Sequence, residues 1–232
     1  MRLESFINES INDKAILHAC FMAGAPGSGK SFFLSKIKSG SIEARVVNTD
    51  KFFEYFGNQN VARSKTLTVS QLHLYIDSML PLFADGTSTD SSTTLKRKAL
   101  LETLGYKTGM VFINCSLETS IERARKRKRI VPDDVVIQSY ETMMKIKPIY
   151  KSAFDFFEEE YNDTGDLTNE AVLQAFRKSI SFFNSPPSKK GQDIIDKMKE
   201  NGWKYLSDGV YDKTFISQVV SNWYKEKSGH SI

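Results

Sequence analysis

The chain has 232 residues, 40% of them hydrophobic and 26% charged, enough for one sizeable core and inconsistent with a disordered or fibrous protein. Its net charge of +4 is mildly basic, and no stretch approaches the roughly 20 apolar residues that a membrane span needs. The opening MRLESFINESINDK carries acids and amides where a secretory signal needs an apolar run, so the sequence predicts a cytoplasmic protein. The two cysteines, Cys20 and Cys115, lie in apolar runs and read as reduced core thiols. His18, His73 and His230 follow no metal-ligand spacing.

In chain order, Leu3 to Ala15 has helical spacing, and Ile16 to Ala23 is a continuous apolar run that suits a strand buried on both faces. Lys30 to Lys38 reads as a helix, and Ala44 to Asp50 as a second strand. Helical spacing returns at Leu72, Tyr75, Ile76 and Met79 behind a capping box from Thr68 to Gln71. A third strand spans Leu80 to Asp85, a helix spans about Thr93 to Leu104, and a fourth strand spans Met110 to Ser116. After about Phe157 the pattern loosens. An amphipathic helix from Thr168 to Phe183, a linker from Asn184 to Gly191 and helical patterns at Asp193 to Glu200 and Lys213 to Lys225 complete the chain.

Strands too apolar to alternate, separated by helices, predict an α/β sandwich with a mainly parallel sheet and helices on both faces. The predicted division is a main domain over residues 1–163 and a helical appendage over 164–232. Each strand ends in a polar cluster, and ligands of such sheets bind beyond the carboxyl ends of the strands.

The first cluster is the most informative. Gly24-Ala25-Pro26-Gly27-Ser28-Gly29-Lys30-Ser31 has the spacing of a phosphate-binding P-loop between a strand and a helix. Consecutive amides cradle phosphate oxygens, glycines supply the backbone freedom, and the helix N-terminus adds positive charge. Lys30 is expected to reach the β- and γ-phosphates and Ser31 to ligate Mg²⁺, which implies ATP with Mg²⁺. Asp50, ending the second strand, suits a general base taking the proton of an attacking hydroxyl, though it equally suits an N-cap for a helix starting at Lys51. Asp85, in Ala84-Asp85-Gly86-Thr87, suits a metal-supporting carboxylate or a turn-forming Asp-Gly.

Residues 121–130, IERARKRKRI, hold six basic residues and one acid, and Val131-Pro132 follows. Arg123, Arg127 and Arg129 can fold over phosphates as a lid near residues 121–134 and exclude water. The same run also suits a groove for nucleic-acid phosphates.

The ordered set GAPGSGKS, VVNTD, ADGTSTD and LETSIERARKRKRIVP resembles the kinases related to polynucleotide 5′-hydroxyl kinases and zeta-type toxins. The resemblance covers about residues 16 to 150 and implies a three-layer P-loop kinase fold. It implies Asp50 as general base, Asp85-Gly86-Thr87 as the motif closing the third strand, and Arg123, Arg127, Arg129, Val131 and Pro132 as the lid. Polynucleotide kinases often carry an arginine shortly after the base; here Lys51, Phe52 and Phe53 stand there.

The expected activity is transfer of the γ-phosphoryl group of ATP to a hydroxyl of a nucleic acid, either a polynucleotide 5′-end or a hydroxymethylated base in DNA. Phe52 and Phe53, able to stack on a base, lean that way. The alternative acceptor is a nucleotide-sugar or another small nucleotide. The alternative of another class is a P-loop ATPase without an acceptor. Against it, the third strand ends in Asp-Gly rather than Asp-Glu, and no guanine-reading Asn-Lys-x-Asp occurs.

Overall fold

The computed structural model describes residues 15–38, 45–57, 60–127, 131–163 and 170–200. Five strands form one sheet: β1 (His18–Ala23), β2 (Arg45–Val47), β3 (Leu82–Ala84), β4 (Lys107–Asn114) and β5 (Phe156–Tyr161). Their order is β2-β3-β1-β4-β5 and every pairing is parallel. Registers such as Cys20 against both Phe83 and Gly109 place β1 at the centre, so the loop after it emerges between its neighbours' carboxyl ends.

All six residues of β1 are buried, because both faces of the sheet are covered. One face packs under α3 (Val61–Asp77), α4 (Ser91–Thr103), α6 (Asp133–Ala153) and α8 (Lys189–Glu200), with Phe21, Leu72, Leu101, Phe112, Met143 and Ile194 in one core. The other face packs under α1 (Lys30–Lys38) and α7 (Glu170–Phe183), with Cys20, Met22, Phe33, Phe83, Ile113 and Phe183. Two short helices complete the described chain: α2 (Thr49–Tyr55) beside α3, and α5 (Leu117–Arg125) beside α6. The architecture is the three-layer α/β fold that the sequence predicts, and both cysteines are buried free thiols. Among the described residues no helix is long and apolar enough to cross a membrane.

The boundaries differ in instructive ways. The helix expected to start at Thr68 starts at Val61, where Asn60 accepts a hydrogen bond from the Arg63 amide at 2.9 Å. Thr68 lies mid-helix and donates to the Ser64 carbonyl at 2.7 Å, so its capping box is a coincidence of composition. The segment after 164 also behaves differently from a loose addition. Phe182 and Phe183 of α7, and Ile194, Ile195 and Met198 of α8, are buried in the same two cores as the sheet. The helical patterns at Leu3 to Ala15 and Lys213 to Lys225 lie outside the described residues.

β5 reads FFEEEY. It is the edge strand on the β4 side, and its acids are spoken for individually: Glu158 takes Lys178 at 2.9 Å and Glu159 takes Lys147 at 2.9 Å. Glu160 is only 3% exposed, and its Oε1 makes no hydrogen bond among the described residues. Burial pushes this carboxyl above the ordinary 4.5, and Glu158 adds to the rise. Because the folded-state value is the higher one, the stabilising effect is full below about pH 4.5 and is lost as the pH rises through the folded-state value. Glu160→Gln removes the ionisation, so it should raise the melting temperature at pH 7.5, by about 1 kcal/mol of stability, and change little at pH 4. Equal shifts at both pH values would refute this.

Candidate active site

The loop after β1 turns at Gly24 (φ +147°), Gly27 (φ +88°) and Gly29 (φ +105°), conformations that L side chains rarely adopt. The turn is held by its surroundings. The Gly24 amide donates to the Thr87 carbonyl at 3.3 Å, the Ser120 hydroxyl to the Pro26 carbonyl at 2.6 Å, and Asn162 Nδ2 to the Ser28 carbonyl at 3.2 Å. The first bond of α1 runs from the Phe33 amide to the Gly29 carbonyl at 3.0 Å, so the amides of Lys30, Ser31 and Phe32 precede it at the positive end of the helix.

Lys30 Nζ donates to the carbonyls of Gly24 at 2.6 Å and Ala25 at 3.1 Å, folding back over its own loop. Burial brings its ammonium down to about 8, against the pull of Asp85, with Arg127 adding to the fall and Asp50 opposing it. Asp85, just past β3, is raised by burial and lowered by Lys30 and by Asn48, whose Nδ2 donates to Asp85 Oδ2 at 2.6 Å. Lys30, Asp85, Asp50 and Arg127 therefore share one electrostatic neighbourhood, although they come from four separate segments.

Asp50 is not the cap of its helix. Asn48 is: its side-chain oxygen accepts from the Asp50 amide at 2.7 Å. The helix starts at Thr49, earlier than the expected Lys51, and this leaves the exposed Asp50 carboxylate outside the capping interaction. Arg123 is placed differently from the expected lid. Its guanidinium donates to the carbonyls of Asn162 at 2.7 Å and Asp163 at 2.8 Å, which ties α5 to the end of β5. Arg127 is exposed, and Arg129 lies outside the described residues. Among the described charges of the run, Arg125 pairs with Asp133 and Lys126 with Glu122, and Lys128, like Arg129, lies outside the described residues.

Sequence reading missed Asn48, Ser120 and Asn162, which hold Asp85, the first turn of the loop and its last turn respectively. Asn48 stands two residues before Asp50 and has the signature of a cap; the other two carry no motif. The donor set fits a magnesium–nucleotide: hydroxyl and carboxylate oxygens at Ser31 and Asp85, successive amides at the start of a helix, and one ammonium. Among the described residues no cluster of His, Cys, Asp and Glu forms a separate metal site.

Among curated proteins no sequence matches the chain. Of solved structures, a candidate kinase from Chloroflexus aurantiacus is similar with a TM-score of 0.50 at 10% identity, covering 72% of this chain and 98% of its own. Shikimate kinase from Bacteroides thetaiotaomicron (TM-score 0.46, 14% identity, 72% and 99% covered) is also similar. So is a structure from the PezAT chromosomal toxin–antitoxin system of Streptococcus pneumoniae (TM-score 0.45, 15% identity, 88% and 98% covered). Residues 20–146, more than half of the chain, match the family described as AAA domain, so the protein belongs to that family and carries it on a P-loop kinase fold.

Proposed function

We propose that the protein is an ATP-dependent kinase that moves the γ-phosphoryl group to an alcohol hydroxyl of a small acceptor. The observations that carry this are the glycine-rich turn with Lys30 folded over it and the Asn48 side chain that joins Asp85 to the backbone of Asp50. In this reading the loop amides and Lys30 hold the phosphates, and Ser31 with Asp85 holds Mg²⁺. The metal, when bound, neutralises charge on the β- and γ-oxygens. Asp50 accepts the proton of the attacking hydroxyl. Arg127 counters the transferring charge, the role the sequence also suggests for Arg129, while Arg123 fixes α5 on the end of β5.

Two observations favour a small acceptor over nucleic acid. Arg125 and Lys126 spend their charge on neighbouring acids, which weakens the field that a phosphate backbone would feel. A cavity also opens beside Asp85. A small nucleotide remains within this class. The 5′-end of a polynucleotide and a hydroxymethylated base in duplex DNA belong in the test as competing acceptors.

The test is label transfer from [γ-³²P]ATP with Mg²⁺ to a panel of nucleic acids, nucleosides, nucleotide-sugars and simple sugars, run against Asp50→Asn. Transfer to one class, reduced about a hundredfold or more in kcat/KM by Asp50→Asn with ATP affinity kept, is the expected result. Because the helix is capped by Asn48 through the backbone, the variant should fold normally. If label leaves only as free phosphate and Asp50→Asn makes no difference, the chain is an ATPase and Asp50 is no base.

A further inference from the structure

Beside Asp85 lies a cavity of about 170 Å³. Its apolar part is formed by Phe21 of β1 and by Val47 and Ala84, the last residues of β2 and β3. Its polar part is formed by the segment from Asp85 to Asp90, by Thr68 of α3, and by Thr93, Thr94 and Arg97 of α4. Asp85 thus belongs both to this cavity and to the neighbourhood of Lys30.

The wall is rigid. Ser88 stands at φ +54°, in a conformation costly for a residue with a side chain. It is held there on two sides: its hydroxyl donates to the Met22 carbonyl at 2.9 Å, and its carbonyl accepts from the Tyr150 hydroxyl at 2.6 Å. One residue earlier, the Thr87 carbonyl takes the Gly24 amide. The wall of the cavity is therefore bolted to the phosphate loop, so a molecule seated here keeps a fixed distance from a phosphate held there.

The charges set what can enter. Asp90 caps α4, accepting from the Thr93 amide at 3.1 Å and the Thr93 hydroxyl at 2.6 Å. Those bonds, with Arg97 nearby, hold its carboxyl below the usual range. The lining thus offers two carboxylates, one guanidinium and several hydroxyls above an apolar floor. With Asp85 committed to the metal, Asp90 and Arg97 balance, so a guest bearing a carboxylate or phosphate would find no net positive charge to hold it. A neutral polyol can donate to the carboxylates, accept from Arg97 and the threonines, and lay its C–H face on Phe21 and Val47.

We propose that this cavity is the acceptor subsite, and that it takes a neutral polyhydroxylated compound of about one sugar ring, with Arg97 as a specificity-determining residue. The size follows from the volume, since a cavity of about 150 Å³ accommodates a single six-membered ring. The proposal rests on the kinase reading above.

The experiment has two arms on the full chain, with Arg97→Lys and Thr89→Val as variants. Saturation-transfer NMR reads direct binding of neutral hexoses and cyclic polyols, their monophosphates and the matching sugar acids, with an inert ATP analogue and Mg²⁺ present. Label transfer reads the same compounds alongside 5′-hydroxyl oligonucleotides. The expected result is binding and phosphorylation of a neutral compound, with its KM raised about tenfold in Arg97→Lys and the KM for ATP held within about twofold. Transfer to a phosphate-bearing, carboxylate-bearing or polymeric acceptor, with unchanged KM in both variants, overturns the subsite and leaves the kinase standing. Should no acceptor be labelled, binding decides the cavity alone. Neutral-polyol binding weakened by Arg97→Lys keeps the assignment and discards the kinase reading; no polyol binding by the native chain overturns the assignment.

Discussion

Lys30→Met is expected to lower kcat/KM for phosphoryl transfer by about a thousandfold or more, with the fold intact. The Lys30 ammonium rests on the carbonyls of Gly24 and Ala25. Those contacts are weak substitutes for phosphate oxygens, and burial already destabilises the charge. A polyphosphate restores the charge it lacks, so the lysine contributes more with ligand than without. The sign of the pH dependence follows. The ammonium sits at about 8 without ligand and higher with an anion beside it, so its contribution to ATP affinity is full below about pH 8. It is lost as the pH rises through the ligand-bound value. ATP titrations by calorimetry from pH 6.5 to 9.5 should show affinity flat and then falling, with proton uptake appearing above about pH 8. Affinity that rises with pH would assign the lysine no charge role, and Lys30→Met should flatten the profile.

Gly27→Ala should be among the costliest single methyls in the described turns. A Cβ there would lie 2.2 Å from the Ser120 carbonyl oxygen and 3.0 Å from its carbon, both backbone atoms of α5, and the φ of +88° forbids an easy retreat. The clash cannot be relieved by a rotamer, and α5 is itself tied to the loop by the Ser120 hydroxyl. A loss of about 3 kcal/mol or more is expected in denaturant titration, together with loss of nucleotide binding. Gly57→Ala is the control. Its φ is +64°, but nothing lies within 4 Å of the added atom, so about 1 kcal/mol of backbone strain is all it should cost. Similar losses for the two would show that strain alone, and not the contact with α5, decides. Gly29→Ala falls between them, because the atom it meets at 2.2 Å is the side-chain nitrogen of Asn162, which can move.

The sheet was legible where burial on both faces forces an unbroken apolar run, as in β1 and β4, and the phosphate loop was legible because its chemistry leaves few alternatives. β5 was not legible. Its three consecutive glutamates contradict strand composition, and they are tolerated only because Lys178 and Lys147 meet the first two from other elements. The start of α3 was misplaced because Thr68 imitates a cap whose real counterpart, Asn60, stands before a stretch without apolar spacing. α6 went unassigned, since Pro148 interrupts a pattern that the structure carries through to Ala153. At the site, the glycine-rich turn and the Asp85-Gly86 pair announce themselves by spacing. Asn48 and Asn162 act through partners far away in the chain, as Asn48 does on Asp85, and no local pattern encodes such a pairing.

The position of β1 has a consequence for synthesis. Ala19 pairs with Leu82 on one side and Thr108 on the other, and no earlier segment of the described sheet touches it. While the ribosome builds the chain, a strand that is buried along its whole length waits, unpaired, until β3 and β4 have followed it out. Loop closure over such separations is slow. The strand that ends in the phosphate loop thus waits through a longer stretch of synthesis for its second neighbour than β4 does for β5, and a holding chaperone has its clearest target there.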